Sequence, residues 1–239
     1  MREFLSTRIK PKLKLEVNTT VNLDNSMSAA TINALIAAQP KNLGGYTLTF
    51  QFADGTYTLS DTLYFSNFYG GGYLQIYGNA SNNSLSTTKA VHLDFSGTDG
   101  LNGIWASDVS GVSLNVRYIK VSSANVSNHA YGISFDNCSN ARCWYNYVTA
   151  SAAGSYGRGY YAARGTSCHV ENCYITGFNI GFYMSYTSQC YIRDCDDSGT
   201  QPYYGIYTNA GGRVGRYGTY PTASSTNFIE SGGAKIYET

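Results

Sequence analysis

The chain has 239 residues, a formal net charge of +1, only 13% charged residues, 26 Gly and 23 Tyr. Its polarity comes from Ser, Thr, Asn and Tyr, a surface that argues against nucleic acid as a partner and suits neutral polar ligands such as carbohydrate. No stretch approaches the roughly 20 apolar residues needed to cross a bilayer, which argues against membrane insertion, and six cysteines are too sparse for a disulfide framework.

Met1-Arg2-Glu3-Phe4-Leu5 is not followed by an apolar signal-peptide segment, so the sequence reads as a chain made in the cytoplasm and released by lysis rather than secretion. Residues 1–25 form a basic N-terminal arm with Arg2, Arg8, Lys10, Lys12 and Lys14. The alternation from Ile9 to Val17 reads as an edge strand or arm. It either docks on another subunit or is simply solvated. Residues 28–39 are predicted as one short helix, with Ile32, Leu35 and Ile36 at helical spacing and Pro40 as its stop. A lone amphipathic helix ahead of a long β region is expected to cap the open end of a β stack.

From Tyr46 the pattern is β only. Leu48, Phe50 and Phe52 alternate with polar residues, Asp54-Gly55 turns the chain, and Gly70-Gly71-Gly72 breaks the next run before Leu74 and Ile76. Five segments then share a frame starting at Gly103, Gly132, Gly159, Gly181 and Gly205, at intervals of 29, 27, 22 and 24 residues. One and three positions after each glycine stand Ile104 and Ala106, Ile133 and Phe135, Tyr160 and Ala162, Phe182 and Met184, Ile206 and Thr208. Nine and eleven positions on stand Val112 and Leu114, Ala141 and Cys143, Cys168 and Val170, Cys190 and Ile192, Val214 and Arg216. A third apolar site at Ile119, Val148 and Ile175 is broken by Asp197. Three short strands per repeat predict an all-β fold, a right-handed parallel β-helix, spanning 26–223 and closed by a C-terminal cap at 224–239. Stacking sets Cys168 over Cys190 and Cys173 over Cys195; buried thiols, disulfides and a metal site are the alternatives, and no metal or cofactor is expected.

Two outward columns are aromatic: Trp105, Ser134, Tyr161, Tyr183 and Tyr207 in one, Tyr118, Tyr147, Tyr174, Asp196 and Tyr220 in the other. Together with Trp144 they are either a carbohydrate-binding strip or an aromatic ladder that stiffens the stack or packs between subunits. A third outward face carries Arg142, His169 and Tyr191 beside Trp144, Glu171 and Arg193. Polysaccharide cleavage needs two spaced carboxylates or a base with a cation. Glu171 with Asp194 is the best carboxylate pair, and His169 with Arg142 or Arg193 the best base and cation. A surface ion pair between Glu171 and Arg193 explains the same residues without chemistry.

Thr31-Ile32-Asn33-Ala34-Leu35-Ile36 with Pro40-Lys41-Asn42-Leu43, then Phe52-Ala53-Asp54-Gly55-Thr56-Tyr57, and the motifs Gly132-Ile133-Ser134-Phe135-Asp136-Asn137-Cys138 and Glu171-Asn172-Cys173-Tyr174-Ile175 resemble the β-helical tail fibres and tailspikes of tailed bacteriophages, within the pectin-lyase-like superfamily. The resemblance implies a homotrimer on a virion, attached through its N-terminal segment to other tail proteins and recognising a bacterial surface polysaccharide. Enzymatic tailspikes carry acidic clusters that this chain lacks. Recognition without catalysis is therefore expected, with a polysaccharide lyase or glycoside hydrolase on the same fold as the alternative.

Overall fold

The computed structural model describes residues 13–98, 100–123, 130–150, 157–197 and 201–238. Among these the chain is all-β apart from one α-helix and a single 3-10 turn. The helix, α1 (Ala29–Ala37), starts at Ser28, whose hydroxyl accepts a hydrogen bond from the Thr31 N–H at 3.2 Å; capping one orphan donor in this way typically stabilises a helix by about 1 kcal/mol. Ile32 and Ile36 are buried and Leu35 packs partly against the core. α1 lies against the strand Leu63–Ser66. Asn33 donates to the Thr62 carbonyl at 2.8 Å and accepts from the Tyr64 N–H at 3.0 Å, so its amide satisfies the backbone of a strand that has a partner on its other side only. Asn33 thereby pairs backbone groups on the free side of this edge strand.

The strands form three sheets, of nine, seven and five strands among the described residues, and every ladder is parallel. The chain visits the sheets in rotation. Ala141–Trp144, Tyr147–Ala150 and Arg158–Ala163 are one tier, and Ser167–Glu171, Tyr174–Thr176 and Ile180–Met184 are the next. Each strand pairs with its counterpart one tier on. The nine-stranded sheet, here the long sheet, opens at Thr19–Leu23, within the segment read as an arm; the arm's residues 1–12 lie outside the described residues. The last strands, Thr226–Glu230 and Lys235–Glu238, continue the seven-stranded and long sheets through the segment read as a cap.

The glycine frame is observed in register: Ile104, Ile133, Tyr160, Phe182 and Ile206 face one another across the seven-stranded sheet, all buried. Glycine is required by close approach. A Cβ on Gly159 would lie 2.6 Å from Ile175 Cγ2 and 2.8 Å from the Gly181 carbonyl oxygen of the following tier. Other non-glycine corners take the left-handed conformation instead: Tyr118, Tyr145, Asn172 and Asp194 at one, Asp108, Asn137, Arg164 and Tyr186 at another.

Two expectations need correction. Leu114 and Val116, not Val112 and Leu114, face Ala141 and Cys143, and Val121, not Ile119, faces Val148. The first repeat carries two extra residues before its second strand. Because side chains alternate with period two, this slip leaves all of these residues facing the core. Tyr118 consequently leaves the column of Tyr147 and Tyr174, which Lys120 occupies instead, and turns at a corner to stack on Tyr145 at 5.9 Å. In line with the Asp197 interruption, among the described residues the five-stranded sheet ends at Tyr174–Thr176, followed there only by a single bridge between Tyr174 and Asp196. Arg216 holds an inward register position opposite Ile192, and its guanidinium lies 4.3 Å from the Phe228 ring centre and 4.5 Å from that of Tyr220.

All six cysteines are free and buried. Cys168 pairs in register with Cys190, and burial pushes the Cys143, Cys190 and Cys195 thiols well above their ordinary pKa.

Candidate functional site

The residues singled out for carbohydrate binding fall on three separate sheets. Trp105, Tyr161, Tyr183 and Tyr207 are outward on the seven-stranded sheet, Tyr147 and Tyr174 on the five-stranded sheet, and Trp144 on the long sheet. They form no single pocket. On the seven-stranded sheet the rings face one another: Tyr131 on Tyr161 at 4.4 Å and 9°, Tyr161 on Tyr183 at 5.5 Å and 10°, then Tyr183 against Tyr207 at 5.2 Å and 44°. Tyr131 also stands 6.0 Å from Trp105, filling the gap left at Ser134, which is fully buried. The Arg158 guanidinium lies 4.2 Å from the Tyr183 ring centre and donates to the Tyr131 hydroxyl at 3.1 Å. Both faces of the Tyr161 ring are thus covered by neighbours, the geometry of a stiffening ladder.

Tyr131 and Arg158 were missed because they precede frame glycines. A Cβ on Gly132 would point at Val148, and Ile133 beyond it is also buried. Strict alternation fails there and the residue before the glycine turns outward. The signal was the position just ahead of each frame glycine.

Tyr147 and Tyr174 meet edge to face at 6.3 Å, with the Tyr147 hydroxyl 3.2 Å from that of Thr176 and the Lys120 ammonium 5.4 Å from the Tyr147 ring centre.

The long sheet brings the remaining candidates together. Its strands Ala141–Trp144, Ser167–Glu171 and Gln189–Arg193 align Arg142, His169 and Tyr191 in one outward column and Trp144, Glu171 and Arg193 in the next. The second column is a chain of contacts. The Arg117 guanidinium covers the Trp144 ring at 3.7 Å, the Trp144 indole N–H donates to Glu171 Oε2 at 3.1 Å, and Arg193 Nη1 lies 3.7 Å from Glu171 Oε1 and 5.5 Å, through its guanidinium carbon, from the Tyr217 ring centre. Arg193 Nε donates to Asp194 Oδ2 at 3.2 Å. Glu171 and Asp194 therefore share one guanidinium rather than flanking an open gap, and Asp197 accepts from the backbone and hydroxyl of Thr222 at 2.8 Å each.

His169 Nε2 lies 3.5 Å from Glu171 Oε2, and its ring meets Tyr191 edge-on at 4.9 Å. Burial holds the His169 pKa below the ordinary histidine value; Glu171 raises it, while Arg142 and Arg193 lower it further. The imidazole is consequently neutral at pH 7. Beside these columns two cavities, of about 510 and 300 Å³, follow the leading edge of the same sheet. The first is lined by Gly72, Tyr73, Gly111, Ser113 and Asn140 and the second by Ser167, Gln189, Tyr191, Arg213 and Tyr237. Asn140 and Ser167 precede Ala141 and Cys168, which pair in register, so the two cavities sit on adjacent tiers. Among the described residues no group of three His, Cys, Asp or Glu side chains is placed to hold a metal ion, and no helix is long and apolar enough to cross a membrane.

No family model, curated protein or solved structure matches the chain.

Proposed function

We propose that the chain is a right-handed parallel β-helix, a single-stranded solenoid, serving as the receptor-recognising part of a bacteriophage tail fibre or tailspike, where it binds a bacterial surface polysaccharide without cleaving it. In this reading it is displayed on the virion as a homotrimer, joined through its N-terminal segment to other tail proteins. The tiered parallel topology supports the architecture, and the resemblance of the Gly132–Cys138 and Glu171–Ile175 motifs to those of such fibres supports the placement.

One observation carries the binding function. The long sheet presents a continuous strip of rings, amides and guanidinium groups from Tyr77 through Trp144 to Tyr217, with a polar groove along its edge. A strip running along the stack suits an extended, hydroxyl-rich polymer better than a compact ligand. Cleavage by hydrolysis is disfavoured because Glu171 is engaged by Trp144 and Arg193, and Asp194 by the same Arg193. The rival reading is a lyase, favoured by the neutral His169 placed between Arg142 and Arg193, a base beside cations.

Incubation with capsule or wall polysaccharide from candidate hosts separates the two. Retention of the protein with unchanged polymer length is expected. Steady release of oligosaccharide, abolished in His169→Gln or Glu171→Gln, would establish the rival. Mass spectrometry of purified virions tests the placement on the tail, and absence of the protein from them would refute it.

A further inference from the structure

The column of the long sheet that runs through Arg142, His169 and Tyr191 continues in register to Gly215 and then to Tyr237. Val214 on one side of Gly215 is buried and Arg216 on the other holds an inward position, so alternation puts Gly215 on the outward face. The column therefore lacks one side chain there. Parallel strands lie about 4.8 Å apart, so Tyr191 and Tyr237 stand about 9.5 Å from each other with no side chain of the column between them. One tier earlier His169 and Tyr191 are neighbours, with ring centres 4.9 Å apart and no gap. The cavity of about 300 Å³ opens over this gap, with Ser167, Gln189 and Arg213 on its rim.

Charge at the slot is uneven. Lys235, in register with Arg213, is held by Glu230 at 3.4 Å, and Glu238 is held by Arg216 at 3.2 Å. Arg213 is exposed and makes no ion pair among the described residues.

We propose that this slot binds one anionic pyranose, a uronic-acid unit of an acidic polysaccharide, with Tyr191 and Tyr237 against its two sides and its carboxylate on Arg213. The inference rests on the glycan-binding reading of the long sheet and narrows it to an acidic glycan, held by one local cation at Arg213 and not by the chain's overall field, which at a net charge of +1 favours neutral ligands. A saturated ring touching an aromatic carbon framework on each side needs about 3.5–4.0 Å of contact distance per side, which two strand spacings supply and one does not. A cavity of this size stands at the lower end of small-molecule sites, room for a single sugar. Arg213 offers the forked donor geometry that matches a carboxylate, and Gln189 and Ser167 offer partners for ring hydroxyls.

The test is affinity electrophoresis of the whole chain in gels containing polygalacturonate or, as the neutral control, dextran. Retardation by polygalacturonate and not by dextran is expected. Gly215→Leu fills the slot at an extended strand position, and Arg213→Gln removes the cation. Each is expected to weaken retardation about tenfold or more, the order of one lost charge-assisted hydrogen bond. Equal retardation by both polymers, or retardation by polygalacturonate that neither variant changes, overturns the slot and leaves glycan binding at Trp144 standing. No retardation by these polymers or by host polysaccharide overturns both.

Discussion

The outward faces of the seven-stranded and long sheets carry similar numbers of aromatic rings on the same tiers, yet they spend them differently. On the seven-stranded sheet Tyr131, Tyr161 and Tyr183 stack face to face, and a ring covered on both sides has nothing left for a ligand. On the long sheet rings alternate with charged groups: Arg117 covers one side of Trp144, Glu171 takes its N–H, and Gly215 opens a gap between Tyr191 and Tyr237. What separates the rings of an aromatic column therefore decides whether their faces are spent on one another or left open, and ring content alone does not distinguish the two.

Both faces hang on the glycine frame, so the harshest way to break the comparison is to damage the frame itself. Gly159→Ala forces a methyl group against Ile175 and the Gly181 carbonyl. Overpacking of this kind costs about 1–3 kcal/mol, and the expected result is a matching fall in unfolding free energy by denaturant titration. A stability unchanged from the parent would show that close approach is not what demands glycine.

Separating the faces is the next largest effect. Tyr161→Ala removes two stacked contacts, each worth about 0.5–1.5 kcal/mol beyond its buried area, and should lower stability while leaving polysaccharide retention intact. Trp144→Ala should do the reverse, abolishing retention with the smaller loss of stability.

Much of this was readable in the sequence, and the exceptions have physical causes. The frame glycines, the helix that starts after Ser28 and the pairing of Cys168 with Cys190 followed from spacing alone, because successive tiers repeat the same constraint at the same place. Register in the first repeat did not follow. Two extra residues slide Leu114 onto Ala141 without changing which face is buried, and hydrophobic pattern is blind to a slip of two. On the long sheet the polar columns were legible for the same reason of register. The ladder's Tyr131 and the gap at Gly215 were not: the first depends on a break in alternation at Gly132, and the second is the absence of a side chain.

A smaller effect sharpens the long-sheet side. His169 has its pKa lowered in the folded chain, chiefly by burial, so the unfolded chain binds a proton more readily. Its contribution to stability is fully present above the unfolded value of about 6.5 and is lost as pH falls from there toward the lower folded value. His169→Gln should flatten that part of the stability profile relative to the parent, measured by thermal melts between neutral and mildly acidic pH. Identical profiles for the two chains would show that burial does not hold the imidazole neutral.

The smallest effect expected is a gain. Tyr186 adopts a left-handed conformation with φ 51° at an exposed corner. Tyr186→Gly relieves a strain of about 1 kcal/mol, partly offset by the added freedom of the unfolded chain. A small rise in melting temperature is expected, and a clear fall would mean that the tyrosine ring holds the corner.

The most direct measurement of the central claim is retention of the protein by host-surface polysaccharide, with polymer length followed in the same sample, for the parent, Trp144→Ala and Tyr161→Ala. The long-sheet account predicts retention for the parent and Tyr161→Ala, none for Trp144→Ala, and polymer of undiminished length throughout. Loss of retention in Tyr161→Ala but not in Trp144→Ala, or steady shortening of the polymer by the parent, would contradict it.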